Sequence, residues 1–410
     1  MKKLFEEFET PSIPKWKGLL VKELKSLDGN DPLSYTDEIE GINIHGNYDT
    51  LNSQIIKLQN QTNDWQIGVE INVVSCDLAN KKALQLLNTG ANALNFDLRN
   101  TKDLNLSKLL ESIGVEFIYL YFTTNNSIQE QQLTDWFSDK TPLFSQINSN
   151  QNSVNTFEIN AIGGNATQEL SYALAKGKEL LSKNSKGTLH FTFGIGNNFL
   201  IEIAKFRAFH LLWDKLTTVY KSSIKTTITA KTGFVNKSLK DPFTNILRQT
   251  TEGLSAVLAG IDQLIIQPYD AFSEQGSTDF TERIAINISL ILKEESEIDK
   301  LIDPFSGSLS VENYTEFLCD SSWKLFQEIE KIGGIENELA LEFLTSSVSR
   351  IRKKRMEEVK SNKKTLVGIN KFSNPDTSKL KWKQEMEGFF GMEKLILERI
   401  LITESTENNE

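Results

Sequence analysis

Residues 189–213 read LHFTFGIGNNFLIEIAKFRAFHLLW. The opening run, Leu189–Gly194, is short, rich in Phe and Thr and stopped by glycine, the pattern of a buried strand. After Gly196, the segment Asn198–Tyr220 sets Phe199, Ile203, Phe206, His210 and Trp213 along one stripe at helical spacing. A strand that feeds straight into a helix is half of a parallel βαβ unit, and a parallel sheet needs such crossovers to cover its faces.

The same alternation extends in both directions from about residue 66. Strands are predicted at Gln66–Val73, Ala93–Leu98, Glu116–Phe122, Thr156–Asn160, Thr226–Ala230, Gln263–Tyr269 and Ser308–Glu312. Helical patterns fill the gaps at Leu78–Asn88, Ser107–Ile113, Asn165–Ser182, Thr244–Ala259, Phe280–Glu295 and Thr315–Ile332. Eight β-then-α units predict an α/β fold, a (β/α)8 TIM barrel. An open doubly wound sheet is the structural competitor, but its usual early glycine loop for phosphate is missing.

The first 60 residues do not share this rhythm. Phe8, Pro11, Ile13, Pro14 and Trp16 predict an extended arm, followed by a short helix over Trp16–Leu27 and a loop through Gly29–Pro32. Exposed aromatics on an arm are costly, so it is expected to wrap a partner or its own barrel, with Phe8 and Trp16 as the candidate interface residues. The stretch 124–155 is polar, with a loop near Asn148–Ser153, and Leu401–Glu410 reads as frayed. The expected division is an arm and linker over 1–60, a barrel over 61–335, and a helical segment with tail over 336–410.

Composition narrows the function. The chain is 39% hydrophobic and 24% charged with a net charge of −10, so recognition of a phosphate backbone is disfavoured. The basic run Arg350–Arg355 is expected to be a solvated face near the end of a long helix. The two cysteines, Cys76 and Cys319, lie far apart and form no CxxC pair, which suits a reducing compartment. The N-terminus has acids where a signal peptide needs an apolar run, and no apolar stretch approaches about eighteen residues. A cytoplasmic location, with neither nucleic acid nor membrane as partner, is therefore expected.

Chemistry is sparse. His45, His190 and His210 fall into no metal-binding spacing and are read as structural. Gly194 and Gly196 lack the third glycine of a dinucleotide loop, since Phe199 stands there, and a tight strand-to-helix turn accounts for them as well. Glu70, Asp97 and Glu158 fall in predicted strands that line a barrel and are read as satisfied interior polar groups. By this reading the chain has no catalytic, cofactor-binding or metal-binding residue of its own.

Several segments, in order, resemble the methylmalonyl-CoA mutase family. Phe193–Trp213 is similar to its long helix after barrel strand five. Lys240–Gly260 (KDPFTNILRQTTEGLSAVLAG) resembles its DPxxNxxRxTxEAxxAxxGG block, and Phe280–Glu295 (FTERIAINISLILKEE) its FSxRIARNxQxxLxEE. Asp303–Glu312 (DPFSGSLSVE) resembles DPxGGSYYxE, Trp323–Gly334 (WKLFQEIEKIGG) resembles AWxxFxxIExxGG, and Tyr35–Tyr48 resembles TxEGIxxxPxY. The resemblance implies a radical isomerisation of methylmalonyl-CoA to succinyl-CoA with adenosylcobalamin, in propionate metabolism. It also marks departures. The tyrosine and histidine of the family's YHxxEAGA stretch are gone from Ile159–Leu170. Where HxxTSGxSLTxxDPY begins, Ala230, Lys231 and Thr232 stand, a vestigial substrate pocket with alanine or lysine in place of histidine. The RxWTIRQYAGF segment before strand one is missing. No C-terminal cobalamin (B12)-binding flavodoxin-like domain with a DxHxxG motif is expected in this sequence.

Together these features resemble the degenerate, non-catalytic small (beta) subunit of a heterodimeric mutase. That implies a large catalytic subunit as partner, with adenosylcobalamin held and acyl-CoA turned over there. The alternative is an active acyl-CoA mutase barrel served by a separate small cobalamin-binding protein. Arg207 and Arg248, though inside family motifs, are read as maintaining the fold.

Overall fold

The structure, a computed structural model, describes residues 12–24, 33–46, 48, 62–183, 186–373, 380–383, 392–398 and 400. Helix α1 (Ile13–Glu23) is capped by Ser12, whose side chain accepts from the Lys15 amide. Strands β1 (Tyr35–Asp37) and β2 (Ile42–Ile44) form an antiparallel hairpin. The barrel strands are β3 (Gln66–Asn72), β4 (Ala93–Asp97), β5 (Tyr119–Thr123), β6 (Phe144–Asn148), β7 (Ser153–Asn155), β8 (Thr188–Ile195), β9 (Lys225–Thr232) and β10 (Gln263–Ile265). All eight run parallel in the order β6-β5-β4-β3-β10-β9-β8-β7. The sheet is therefore a (β/α)8 TIM barrel closed except at one seam.

That seam lies between β6 and β7, which are consecutive in the chain and joined only by Ser149–Asn152. The turn is held by the Ser153 amide on the Ser149 carbonyl at 3.0 Å and the Asn152 amide group on the Ile147 carbonyl at 2.6 Å. Four residues cannot carry a chain back to run beside itself in parallel, so β7 begins where β6 stops. The four-residue turn itself holds no helix. Elsewhere the helices are α2 (Cys76–Asn88), α3 (Leu106–Leu109), α4 (Ser127–Phe137), α5 (Phe157–Ala161), α6 (Ala166–Lys183), α7 (Phe199–Val219), α8 (Thr244–Leu258), α9 (Asp279–Leu290), α10 (Leu309–Lys331) and α11 (Glu338–Lys360).

The unit at residues 189–213 is the densest part of the core. Along β8 both faces are buried, and Phe191 and Phe193 meet Phe209 of α7 edge-on, each with centroids 4.8 Å apart. Trp213 closes the same stack 4.8 Å from Phe191. The predicted stripe on α7 is wider than expected. Ile201, Phe209 and Leu212 are buried as well, because α6, α8 and α10 flank the helix while the sheet lies beneath. Arg207 is buried within this layer and pairs with Glu312 at 2.8 Å and with Asp303.

Three predicted elements differ. Ser308–Glu312 is not a strand: it opens α10, with the Glu312 amide on the Ser308 carbonyl at 2.9 Å. Its alternation reads as a strand, but the segment is the first turn of a long helix, where Glu312 pairs with the buried Arg207 at 2.8 Å. Thr156–Asn160 is mostly α5, the strand having ended at Asn155. In the polar stretch 124–155 lie α4 and β6. Gln146 and Asn148 of β6 are buried polar side chains, so the strand shows no apolar face in the sequence. The basic run Arg350–Arg355 lies on α11 as expected, but Arg352 and Arg355 turn inward onto the carbonyls of Ile162, Gly163 and Gly164.

The hairpin docks on its own barrel. Ile42 joins the main core, Asn165 donates to the Ile39 carbonyl at 2.8 Å, and the Ala166 amide donates to Glu40 at 3.0 Å. Phe8 lies outside the described residues. Trp16 is half-buried on α1. Among the described residues no helix is long and apolar enough to cross a membrane.

Candidate functional site

A cavity of about 520 Å³ opens at the C-terminal ends of the strands, where barrel proteins place their chemistry. Strand alternation sends Glu70 of β3, Asn95 and Asp97 of β4, Thr192 of β8 and Lys231 of β9 toward it. Phe157 and Glu158 reach it from α5, so Glu158 is a helix residue and not a strand one.

The centre of the cavity is a clamp. Lys231 Nζ lies 2.8 Å from Glu70 Oε1 and 2.6 Å from Oε2, and 4.6 Å above the Phe157 ring. Gln267 Nε2 donates to the same carboxylate at 2.9 Å. Burial alone raises the Glu70 pKa, but the charge and hydrogen bonds of Lys231 and Gln267 outweigh it and hold the carboxyl below its usual range. Beside it Arg99 grips Asp97 through two bonds of 2.9 and 2.6 Å. There too burial raises the pKa, and the Arg99 bonds outweigh it and depress the Asp97 carboxyl. These acids remain ionised and paired, which ill suits them to donate or accept protons near neutrality.

The three predicted pocket residues part company. Lys231 faces the cavity, while its neighbours on the strand point away. Ala230 is fully buried in the core on the other side of the sheet. Thr232 is also fully buried, and its hydroxyl accepts from the Gln267 amide at 2.9 Å, fixing the loop that carries Gln267 to Glu70.

His190 belongs to the cavity lining yet is 3% exposed. Its ring nitrogens meet Thr227 Oγ1 at 2.8 Å and Thr192 Oγ1 at 3.3 Å, and burial pushes its pKa down to about 4. Between pH 4 and 6.5 the unfolded chain therefore binds the extra proton. This contribution to stability is complete above about 6.5 and is lost as pH falls toward 4. In an NMR titration the His190 ring is expected to stay neutral down to about pH 5; a midpoint near 6.5 would show that the ring meets solvent.

The glycines at the end of β8 are explained by packing. A Cβ on Gly194 would lie 2.4 Å from Asn160 Cβ, so only glycine lets α5 approach the strand. The amides of Gly194 and Gly196 are taken by Glu169 at 2.6 Å and Glu202 at 2.9 Å, which leaves neither for a phosphate. Sequence reading missed Arg99, two residues after Asp97, and Gln267; the first spacing was the available signal.

A second cavity, of about 420 Å³, lies between the hairpin, α11 and the loops after β8 and β9. Glu40 lines it 3.6 Å from Arg355, with its pKa pushed up to about 7 by burial against the pull of that arginine.

The methylmalonyl-CoA mutase family model matches residues 109–389. A Porphyromonas gingivalis protein named methylmalonyl-CoA mutase small subunit is 30% identical over 91% of this chain, which spans 71% of that relative. A Rhizobium meliloti methylmalonyl-CoA mutase is 30% identical over 64% of this chain, but only 38% of the relative is spanned. The Porphyromonas gingivalis methylmalonyl-CoA mutase large subunit is 26% identical over 65% of this chain and is likewise spanned over 38% of its length. With more than half the chain matched, and barrel and motifs in agreement, the chain belongs to the methylmalonyl-CoA mutase family.

Proposed function

We propose that this chain is the catalytically silent small subunit of a heterodimeric, cytoplasmic, adenosylcobalamin-dependent methylmalonyl-CoA mutase. The large subunit holds the cofactor and converts methylmalonyl-CoA to succinyl-CoA, while this barrel supports it. The carrying observation is the clamp. Where catalytic chains of the family carry a histidine after this strand, Ala230 and Lys231 stand, the alanine buried in the core and the lysine locked between Glu70 and the Phe157 ring. Proton donation at a substrate carbonyl needs a donor aimed at that carbonyl, and the Lys231 ammonium is instead held on Glu70 and over the Phe157 ring. At the other departure Asn160 packs against Gly194 and Gly233 and does not line the cavity. The naming of separate small and large subunits in one organism among the relatives supports the same reading.

The described residues do not fit cobalamin as a cobalt-ligating site. His190 has both ring nitrogens engaged, His210 lies on α7 with its pKa lowered by burial, and His45 sits on the hairpin against Tyr48 with ring centroids 5.6 Å apart. None of the three presents an imidazole to the cavity mouth, so no step is routed through the cofactor on this chain.

Co-expression of the tagged chain with its organism's full-length mutase chain, followed by native mass spectrometry, tests the proposal. A one-to-one complex is expected, with no turnover by the tagged chain alone. Lys231→Ala in that complex is expected to leave kcat and KM within twofold of the parent. A loss of about a hundredfold or more, equal to roughly 2.7 kcal/mol of transition-state stabilisation, means that this barrel takes part in the chemistry.

A further inference from the structure

The described C-terminal residues cross the open end of the barrel. The Leu395 amide donates to the Ala161 carbonyl at 2.8 Å and the Leu397 amide to the Val235 carbonyl at 3.1 Å. Ile396 is buried with Phe157, Ala161, Phe234 and Phe272. Leu395 and Leu397 are buried with Val359, Leu366 and Ile369. Gly163 makes room for this seat: its φ is +96°, and a Cβ there would lie 2.6 Å from Leu395 Cδ2. Further along the rim Trp382 forms a bridge with Ser273 and stacks on Phe272 at 6.2 Å, while the Lys383 amide donates to the Phe272 carbonyl at 3.1 Å.

The anchor is Glu398, a carboxylate with no exposure. Ser238 Oγ donates to it at 2.8 Å, the Leu239 amide at 2.7 Å and the Lys240 amide at 2.8 Å. A buried carboxylate is tolerated only where donors replace its water, and two successive amides with a hydroxyl make such a nest. The segments these residues touch are 161–163, 235–240 and 271–274. Each follows the C-terminal end of a barrel strand, so the contacts lie on one face, over the segments after β7, β9 and β10. Lys383 and Lys394 belong at the same time to the lining of the large cavity.

We propose that residues 380–383 and 392–398 form a built-in cover on the C-terminal mouth of the barrel. They occupy the surface on which a cofactor-carrying domain would have to seat. Reacting groups of barrel proteins come from the C-terminal ends of the strands, so a cofactor delivered by another domain must approach from that side. Here that approach meets the chain itself. The inference rests on the silent-subunit reading and gives it a steric cause, separate from the loss of catalytic side chains.

Hydrogen exchange with mass spectrometry on the full chain tests it. The peptides containing 392–398 and 235–240 are expected to be protected. Glu398→Ala and, separately, Ile396→Asp are each expected to speed exchange of both by about tenfold or more, while α6 and α7 stay protected. The cover is refuted if 392–398 is unprotected in the parent chain, or if neither variant changes its exchange. The cobalamin-loaded large subunit, added in excess to the parent chain, is expected to leave 392–398 protected; loss of that protection would overturn the cover. Failure of the silent-subunit reading looks different: the tagged chain elutes without the large chain in native mass spectrometry while 392–398 remains protected.

Discussion

Lys205→Met is expected to destabilise the folded chain by about 3–5 kcal/mol, the cost of leaving buried carboxylates without their cation. Lys205 is 1% exposed; its ammonium donates to Glu169 at 2.9 Å and to the Gly194 carbonyl at 2.6 Å, and forms an ion pair with Glu202 at 2.6 Å. Burial by itself lowers the Lys205 pKa, and the two carboxylates outweigh it and raise it. The lysine's contribution is therefore complete at neutral pH and is lost only as pH rises through the raised value. In the variant Glu169 loses its counter-charge and takes up a proton more readily when folded. The variant's deficit should shrink as pH is lowered from 7 toward 5. Urea unfolding at both pH values, with the slope m unchanged, checks this; a pH-independent loss below about 1 kcal/mol means that water already solvates the site. Adding Glu169→Gln and Glu202→Gln should recover part of the loss, because the penalty lies in the unpaired charges.

At the opposite end of the barrel Trp65→Ala is expected to cost about 3–5 kcal/mol, the range for emptying a large aromatic from a core. Trp65 has no exposed surface, and its indole Nε1 donates to Ser289 Oγ at 2.9 Å. Its carbonyl accepts from Lys293 Nζ at 2.8 Å, and the ammonium sits 5.5 Å from the ring centroid. The residue thus ties the entry of β3 to α9 and the helical turn beyond it. Trp65→Phe should lose clearly less, since it keeps most of the ring volume and sacrifices one hydrogen bond. Equal losses in the two variants would mean that the bond to Ser289, not the packing, carries the effect. The site lies away from the mouth, so a folded Trp65→Phe protein should keep the parent's exchange pattern at 392–398.

The fold was legible wherever burial acts on both faces of a strand. In β8 and α7 the apolar residues announce themselves, and the Gly-Ile-Gly between them marks the turn. β6 stayed hidden for the opposite reason. Its inward residues, Gln146 and Asn148, are polar because they face the barrel's interior rather than a hydrocarbon core. Sequence patterns report the polarity of a side chain, not the direction in which it points. The same limit applies to the site. Lys231 and Glu70 each drew attention alone, but their pairing spans 161 residues and is a property of the closed barrel. The cover was missed for lack of any local signature. Leu395, Ile396 and Leu397 make a short apolar run, and what gives it meaning is a carboxylate bonded to a loop about 160 residues earlier. The partner role of Phe8 lies outside the described residues, as does the tail from Leu401 onward.

The seam between β6 and β7 bears on how the cavity can breathe. Around the rest of the barrel, widening the bore means parting strands along a ladder of backbone hydrogen bonds. At Ser149–Asn152 the wall is a turn fastened in part by one asparagine side chain, and Asn148, Ser153 and Asn155 on either side of it line the cavity. A guest slightly too large for the cavity would find this wall the cheapest to displace. The barrel behaves here less like a closed hoop than like a cuff with a clasp.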